Sequence, residues 1–145
     1  MKNIYVLEAE EHEAGGTGVE FVISALDSFC RRIQSEWGNI DCVFADSAEQ
    51  TIINTERARL PWSIRNSVKR PIIDRIRAEN IFLSSRRLKL VRGRCEPLAA
   101  AMRSAVWDPK AEKDTRLDVP GTTNICPLDA FEYSWEYWLG RLIKQ

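Results

Sequence analysis

The 145-residue sequence predicts a single α/β domain, a mixed sheet flanked by helices. Three observations support this reading. Short runs of strand formers recur at residues 3–9 (NIYVLEA), 40–45 (IDCVFA) and 88–91 (LKLV). Between them lie two long segments whose apolar residues recur at three- and four-residue steps. The composition, 44% hydrophobic and 29% charged, is that of a globular chain with one core rather than a disordered one.

The elements follow in order. Residues 3–9 form a first strand whose exit is strongly acidic, with Glu8, Glu10, Glu11 and Glu13. Glycines 15, 16 and 18 mark a turn, with no GxGxxG spacing and no lysine to cradle phosphate. A helix spans Gly18 to Trp37, with Val19, Val22, Ile23, Leu26, Cys30, Ile33 and Trp37 on one face. Gly38-Asn39 ends it, since both residues tolerate a left-handed backbone. Ile40 to Ala45 is expected as the central strand, and a short helix follows from Ser47 to Asn54, capped by Asp46 or Ser47. Pro61 argues against a long helix through 57–69, which is irregular or holds a short strand near Trp62 to Arg65.

Pro71 opens a second helix to Ser84. Its stripe is Ile72, Ile73, Ile76, Asn80 and Leu83, and its arginines lie on the other surface. Leu88 to Val91 is an edge strand framed by arginines, which also discourage edge-to-edge pairing. A third helix, Glu96 to Val106, turns Leu98, Met102 and Val106 inward. Residues 108–123, with Pro109, Pro120 and Gly121, form a loop or loose hairpin. A last helix, capped by Thr123 or Asn124, buries Leu128, Phe131, Trp135, Trp138, Leu139 and Leu142.

Charge is unevenly spread although it sums to zero. Residues 1–56 hold eleven acidic and three basic side chains, whereas 57–94 hold twelve basic and two acidic. The basic block either attracts a phosphate backbone or is a solvated face that offsets the acidic third. The four cysteines are scattered without a CxxC pair, which fits a reduced chain, and Cys42 is expected to be buried. No stretch approaches a membrane span, and one histidine excludes a multi-histidine metal site.

The candidate chemistry is acidic. Asp46 follows a strand end, where open α/β sheets place their sites. Asp129 lies early in the last helix, with Glu132 and Glu136 three and seven residues on. Oxygen-rich clusters select Mg2+ or Mn2+, and two such ions can drive phosphodiester hydrolysis. Equally, Asp46 is placed to cap a helix, and the three acids of the last helix are placed to form its wet face.

The motifs ADSAEQTIIN, KRPIIDRIRAENIFLSSRRLKL, VWDPK and NICPLDAFEYS occur here in an order and spacing that resemble one family. The chain is similar to the C-terminal nuclease domain of the phage terminase large subunit, from its first strand to about residue 134. The resemblance implies an RNase H-like fold and a metal-dependent endonuclease cutting double-stranded viral DNA during packaging. It implies Mg2+ or Mn2+ as cofactor, and Asp46 and Asp129 as catalytic metal ligands. Other terminase or portal components would be partners, and a phage- or prophage-encoded protein would act in the bacterial cytoplasm. ATP hydrolysis is not implied, as there is no phosphate loop.

The chain also departs from the family. Where the family reads H-x-x-D-A-x-R-Y, this chain has Cys126 and Glu132 in place of the histidine and arginine. The family's first strand and its aspartate have no counterpart, so that Met1 enters near the second strand and the domain is N-terminally truncated relative to the family. Glu8 is then a candidate third metal ligand, and Glu132 and Glu49 are further candidates. Loss of a central strand would favour a homodimer or strand pairing with a partner. Asp74-Arg75 matches the family's middle helix and is expected to be a supporting salt bridge. Lys69, Arg70, Arg86 and Arg87 are the candidate contacts to the DNA backbone. The alternative function is a non-catalytic nucleic-acid-binding or assembly module that kept the fold and lost a ligand.

Overall fold

The computed structural model describes residues 2–13, 18–119 and 122–144. The glycine turn at 15 and 16 and the Pro120-Gly121 step lie outside the described residues. In chain order the elements are β1 (Ile4–Val6), α1 (Val19–Trp37), β2 (Val43–Ala45), α2 (Gln50–Arg59), β3 (Ile64–Asn66), α3 (Ile72–Ser84), β4 (Leu88–Leu90), α4 (Glu96–Ser104), α5 (Cys126–Glu136) and α6 (Leu139–Ile143). The expected α/β character is present. The described strands form two separate two-stranded parallel sheets, β1–β4 and β2–β3, in place of the expected single sheet. The strand ending at Ala45 is therefore paired with β3 alone and is not a central strand.

The chain forms two compact units, residues 1–11 with 68–145, and residues 12–67. In the first, Ile4, Val6, Leu88 and Leu90 of the β1–β4 pair pack on a core of Ala78, Phe82, Leu98, Ala101, Leu128, Phe131, Trp135 and Leu139. Strand side chains alternate between faces. Tyr5 and Lys89, opposite each other in the register, therefore point away from that core. Arg87 fastens this unit: Nε donates to the Lys2 carbonyl at 2.6 Å and Nη2 to the Leu142 carbonyl at 2.5 Å, with the guanidinium over the Phe82 ring.

In the second unit α1 buries Ile23 and Cys30, and Ile53 and Ile64 complete the buried apolar set. The first helix begins and ends where its periodicity and Gly38 (φ 123°) place it. α2 starts later than expected because Asp46 organises a turn first. Its Oδ1 accepts from the Ala48 N–H at 3.0 Å and its carbonyl from the Glu49 N–H at 3.0 Å. Cys42 is half-buried, not buried, and all four cysteines are free.

Three further expectations changed. The buried face of α3 is Arg75, Ala78, Glu79 and Phe82, not the isoleucine stripe, and Leu83 is 53% exposed. The last helix breaks after Glu136, where the Trp138 N–H bonds the carbonyl of Trp135, three residues back, at 2.9 Å. α4 stops at Ser104, leaving Val106 exposed. The loose hairpin is present as a bridge between Trp107 and Arg116, and it carries Arg116 into the unit's interior. Among the described residues no helix is long and apolar enough to cross a membrane.

Candidate functional site

The acids of the last helix lead inward rather than to a wet face. On α5 the positions Leu128, Phe131, Glu132, Trp135 and Glu136 share one buried stripe at three- and four-residue steps, and both glutamates are wholly inaccessible. On α3, Arg75 and Glu79 lie one turn apart on the face that also buries Ala78 and Phe82. Buried charges of this kind persist only when paired and hydrogen-bonded.

They are paired. Arg75 Nη1 lies 2.5 Å from Glu132 Oε2 and 3.3 Å from Asp129 Oδ1, and its Nε lies 3.5 Å from Glu136 Oε1 and donates to the Arg70 carbonyl at 3.0 Å. Arg116 Nη2 donates to Glu132 Oε1, Nη1 lies 3.4 Å from Asp129 Oδ1, and Nη2 lies 3.7 Å from Glu79 Oε2. Glu132 is thus held between two guanidiniums, and Asp129 Oδ1 faces both. Glu136 accepts from two successive backbone N–H groups, Lys69 at 3.2 Å and Arg70 at 3.0 Å. Lys69 takes a left-handed backbone (φ 54°) that turns both amides toward this carboxylate, forming an anion-binding concavity.

Protonation completes the set. Burial, followed by the hydrogen bond and charge of Glu132, pushes the Glu79 carboxyl up to about 9, against the pull of Arg116 and Arg75. Glu79 is therefore neutral at pH 7, and its Oε1 is buried without a hydrogen-bond partner. Burial also raises Glu136, offset by the Arg70 and Lys69 amides and by Arg75.

Asp74 pairs with Arg77 at 3.3 Å, so the expected Asp74-Arg75 bridge is replaced by Arg75 reaching the acids of α5. Asp129 keeps 26% of its side-chain surface exposed. Asp46 belongs to the second unit, where it is exposed at the carboxyl end of β2 and shapes the turn before α2. Glu8 is half-buried beyond β1. Lys69, Arg70 and Arg86 are exposed, as a phosphate contact requires. Arg87 is not: it is 3% exposed and committed to backbone carbonyls, and the structure corrects its assignment from DNA contact to internal clamp.

Among the described residues no group of three or more His, Cys, Asp or Glu side chains is placed to hold a metal ion. The surroundings of Asp129 do not fit Mg2+ or Mn2+ as they stand. Two guanidiniums already face its Oδ1, and a dication there would be repelled by both. Sequence reasoning missed Arg116 and Glu79. Arg116 gave no local signal in its polar loop. Glu79 had one, since Arg75, Ala78, Glu79 and Phe82 share the spacing of a buried stripe. Compared with known proteins, the chain matches no family model, no curated protein and no solved structure.

Proposed function

We propose that this chain is a nucleic-acid-binding module of the terminase nuclease type, RNase H-like in descent, which binds viral double-stranded DNA without cutting it. The observation that carries the reading is the exposed charge of residues 69–94: seven lysines and arginines reach solvent there against one acid, Asp74. Arg75, Arg87 and Glu79 from the same stretch are buried and used internally. Lys69, Arg70 and Arg86 are the backbone contacts, and displaced counterions make the binding salt-dependent. The arginine-bound state of Asp129 supports the non-cutting form of this reading over the cutting one.

The second reading is the metal-dependent endonuclease, with Asp46 and Asp129 as Mg2+ or Mn2+ ligands. It is favoured by Asp46 standing exposed directly after a strand's carboxyl end. One experiment divides the two: gel shift of linear duplex over a salt series, with a parallel plasmid-nicking assay in Mn2+. The module retards duplex, loses it as salt rises, and leaves plasmid intact. Nicking that disappears in Asp46→Asn replaces the first reading with the second, and absence of any shift removes the first outright.

A further inference from the structure

The Arg87 clamp gathers three segments that are distant in sequence: 2–7, 84–95 and 137–144. None of them contains an acidic residue, whereas together they carry eight lysines and arginines. Arg87 itself is buried, but Lys2, Arg86, Lys89, Arg141 and Lys144 are all exposed. The Ile4 N–H bonds the Arg87 carbonyl at 2.8 Å, which sets the start of β1 beside the start of β4. The first unit therefore gathers basic side chains from three separate segments, with Glu8, Glu96 and Glu136 at their edges.

An aromatic ring stands in this field. Tyr5 is 59% exposed, the most exposed of the large hydrophobic side chains described. It lies on the outer face of the β1–β4 pair, directly across from Lys89, whose ammonium is 5.8 Å from the ring centroid. The Asn3 amide donates to its hydroxyl at 3.3 Å and steadies it. A solvent-facing ring with a lysine beside it on the outer sheet face suits a flat, electron-rich partner that also carries negative charge. Unpaired nucleobases on a phosphate backbone meet both requirements; duplex DNA offers the charge but keeps its base faces stacked.

We propose that the outer face of β1–β4 is a stacking platform for single-stranded DNA, with Tyr5 under a base and Lys89, Arg86 and Lys2 along the phosphates. It rests on the nucleic-acid reading above but adds a strand state and a site that reading does not contain. The basic segment holds duplex through charge, while this face holds bases that have left the duplex.

The test is fluorescence anisotropy on the full chain, with labelled oligothymidylate of about 20 nucleotides, longer than the usual footprint of one such face, and a duplex of the same length. Tyr5→Ala is expected to weaken the oligothymidylate by about fivefold or more, while Tyr5→Phe keeps the stack and stays near wild type. Duplex affinity is unmoved by either variant. Lys89→Ala weakens both and lowers the salt slope. Circular dichroism of Tyr5→Ala checks that the exposed substitution leaves the fold intact. The platform is overturned if Tyr5→Ala binds oligothymidylate as wild type does, if Tyr5→Phe loses as much as Tyr5→Ala, or if duplex falls in parallel. Duplex binding with no Tyr5 effect sinks the platform alone; failure to bind either probe sinks both readings.

Discussion

The two units of this chain treat charge differently. In residues 12–67 the ion pairs Arg31–Asp27 and Arg59–Glu20 stand at the surface, and Glu56 is the one charged side chain buried among the described residues there, beside an apolar set of Ile23, Cys30, Ile53 and Ile64. In the unit built from both chain ends, Arg75 and Arg116 are 8% and 3% exposed and enclose a Glu132 that water does not reach. Surface pairs contribute little, since water already solvates each partner. A buried pair need not stabilise relative to an apolar substitute, but removing one partner strands the others without solvent. Acidic residues of the same chain therefore range from dispensable to indispensable according to what surrounds them.

The comparison is broken most directly at Glu132. Glu132→Ala leaves two buried guanidiniums facing each other and should cost about 3–5 kcal/mol in urea denaturation. A loss below about 1 kcal/mol would mean that the network relaxes to water and is no more than a surface feature.

A smaller effect is expected at Glu79, and it is a function of pH. Its folded value of about 9 lies above the ordinary 4.5. Between those limits the unfolded chain releases the proton and the folded chain keeps it. Stability therefore falls as pH rises through the window. Glu79→Gln keeps the shape and removes the titration. Its melting temperature should vary less between about pH 5 and pH 9 than that of the wild type, and an unchanged profile would place the titration elsewhere.

The smallest effect belongs to the other unit. Arg59 holds the Glu20 carboxyl below its usual range through a hydrogen bond and its charge, yet the pair stands in water. Glu20→Gln should leave the denaturation midpoint where it was, and a clear shift would show that surface pairing in residues 12–67 has the weight assigned here to the buried network.

Much of the fold could be read from local pattern. α1 matched its periodicity nearly residue for residue, and β1, β2 and β4 fell inside the expected runs, because both signals lie within a few neighbours. The error on α3 has a specific cause. Isoleucines outrank an arginine and a glutamate when burial is judged from hydrophobicity, but Arg75 and Glu79 meet Glu132, Asp129 and Arg116 from distant segments and are buried with Phe82. At the candidate site, Asp129 was legible as an acid near a helix start, with Glu132 and Glu136 beside it. The two arginines that face it were not, because they lie 54 and 13 positions away.

By itself the sequence determined the α/β character, the helix of residues 19–37, the basic run before residue 94 and the acids of the last helix, because composition and periodicity are properties of neighbours along the chain. Only the tertiary structure decided that Arg87 ties 2–7 to 137–144, that Glu132 lies between Arg75 and Arg116, and that Tyr5 faces solvent beside Lys89. A charge's effect depends on the dielectric and the partners around it, and those are fixed by residues far away in the chain, brought together when the core closes.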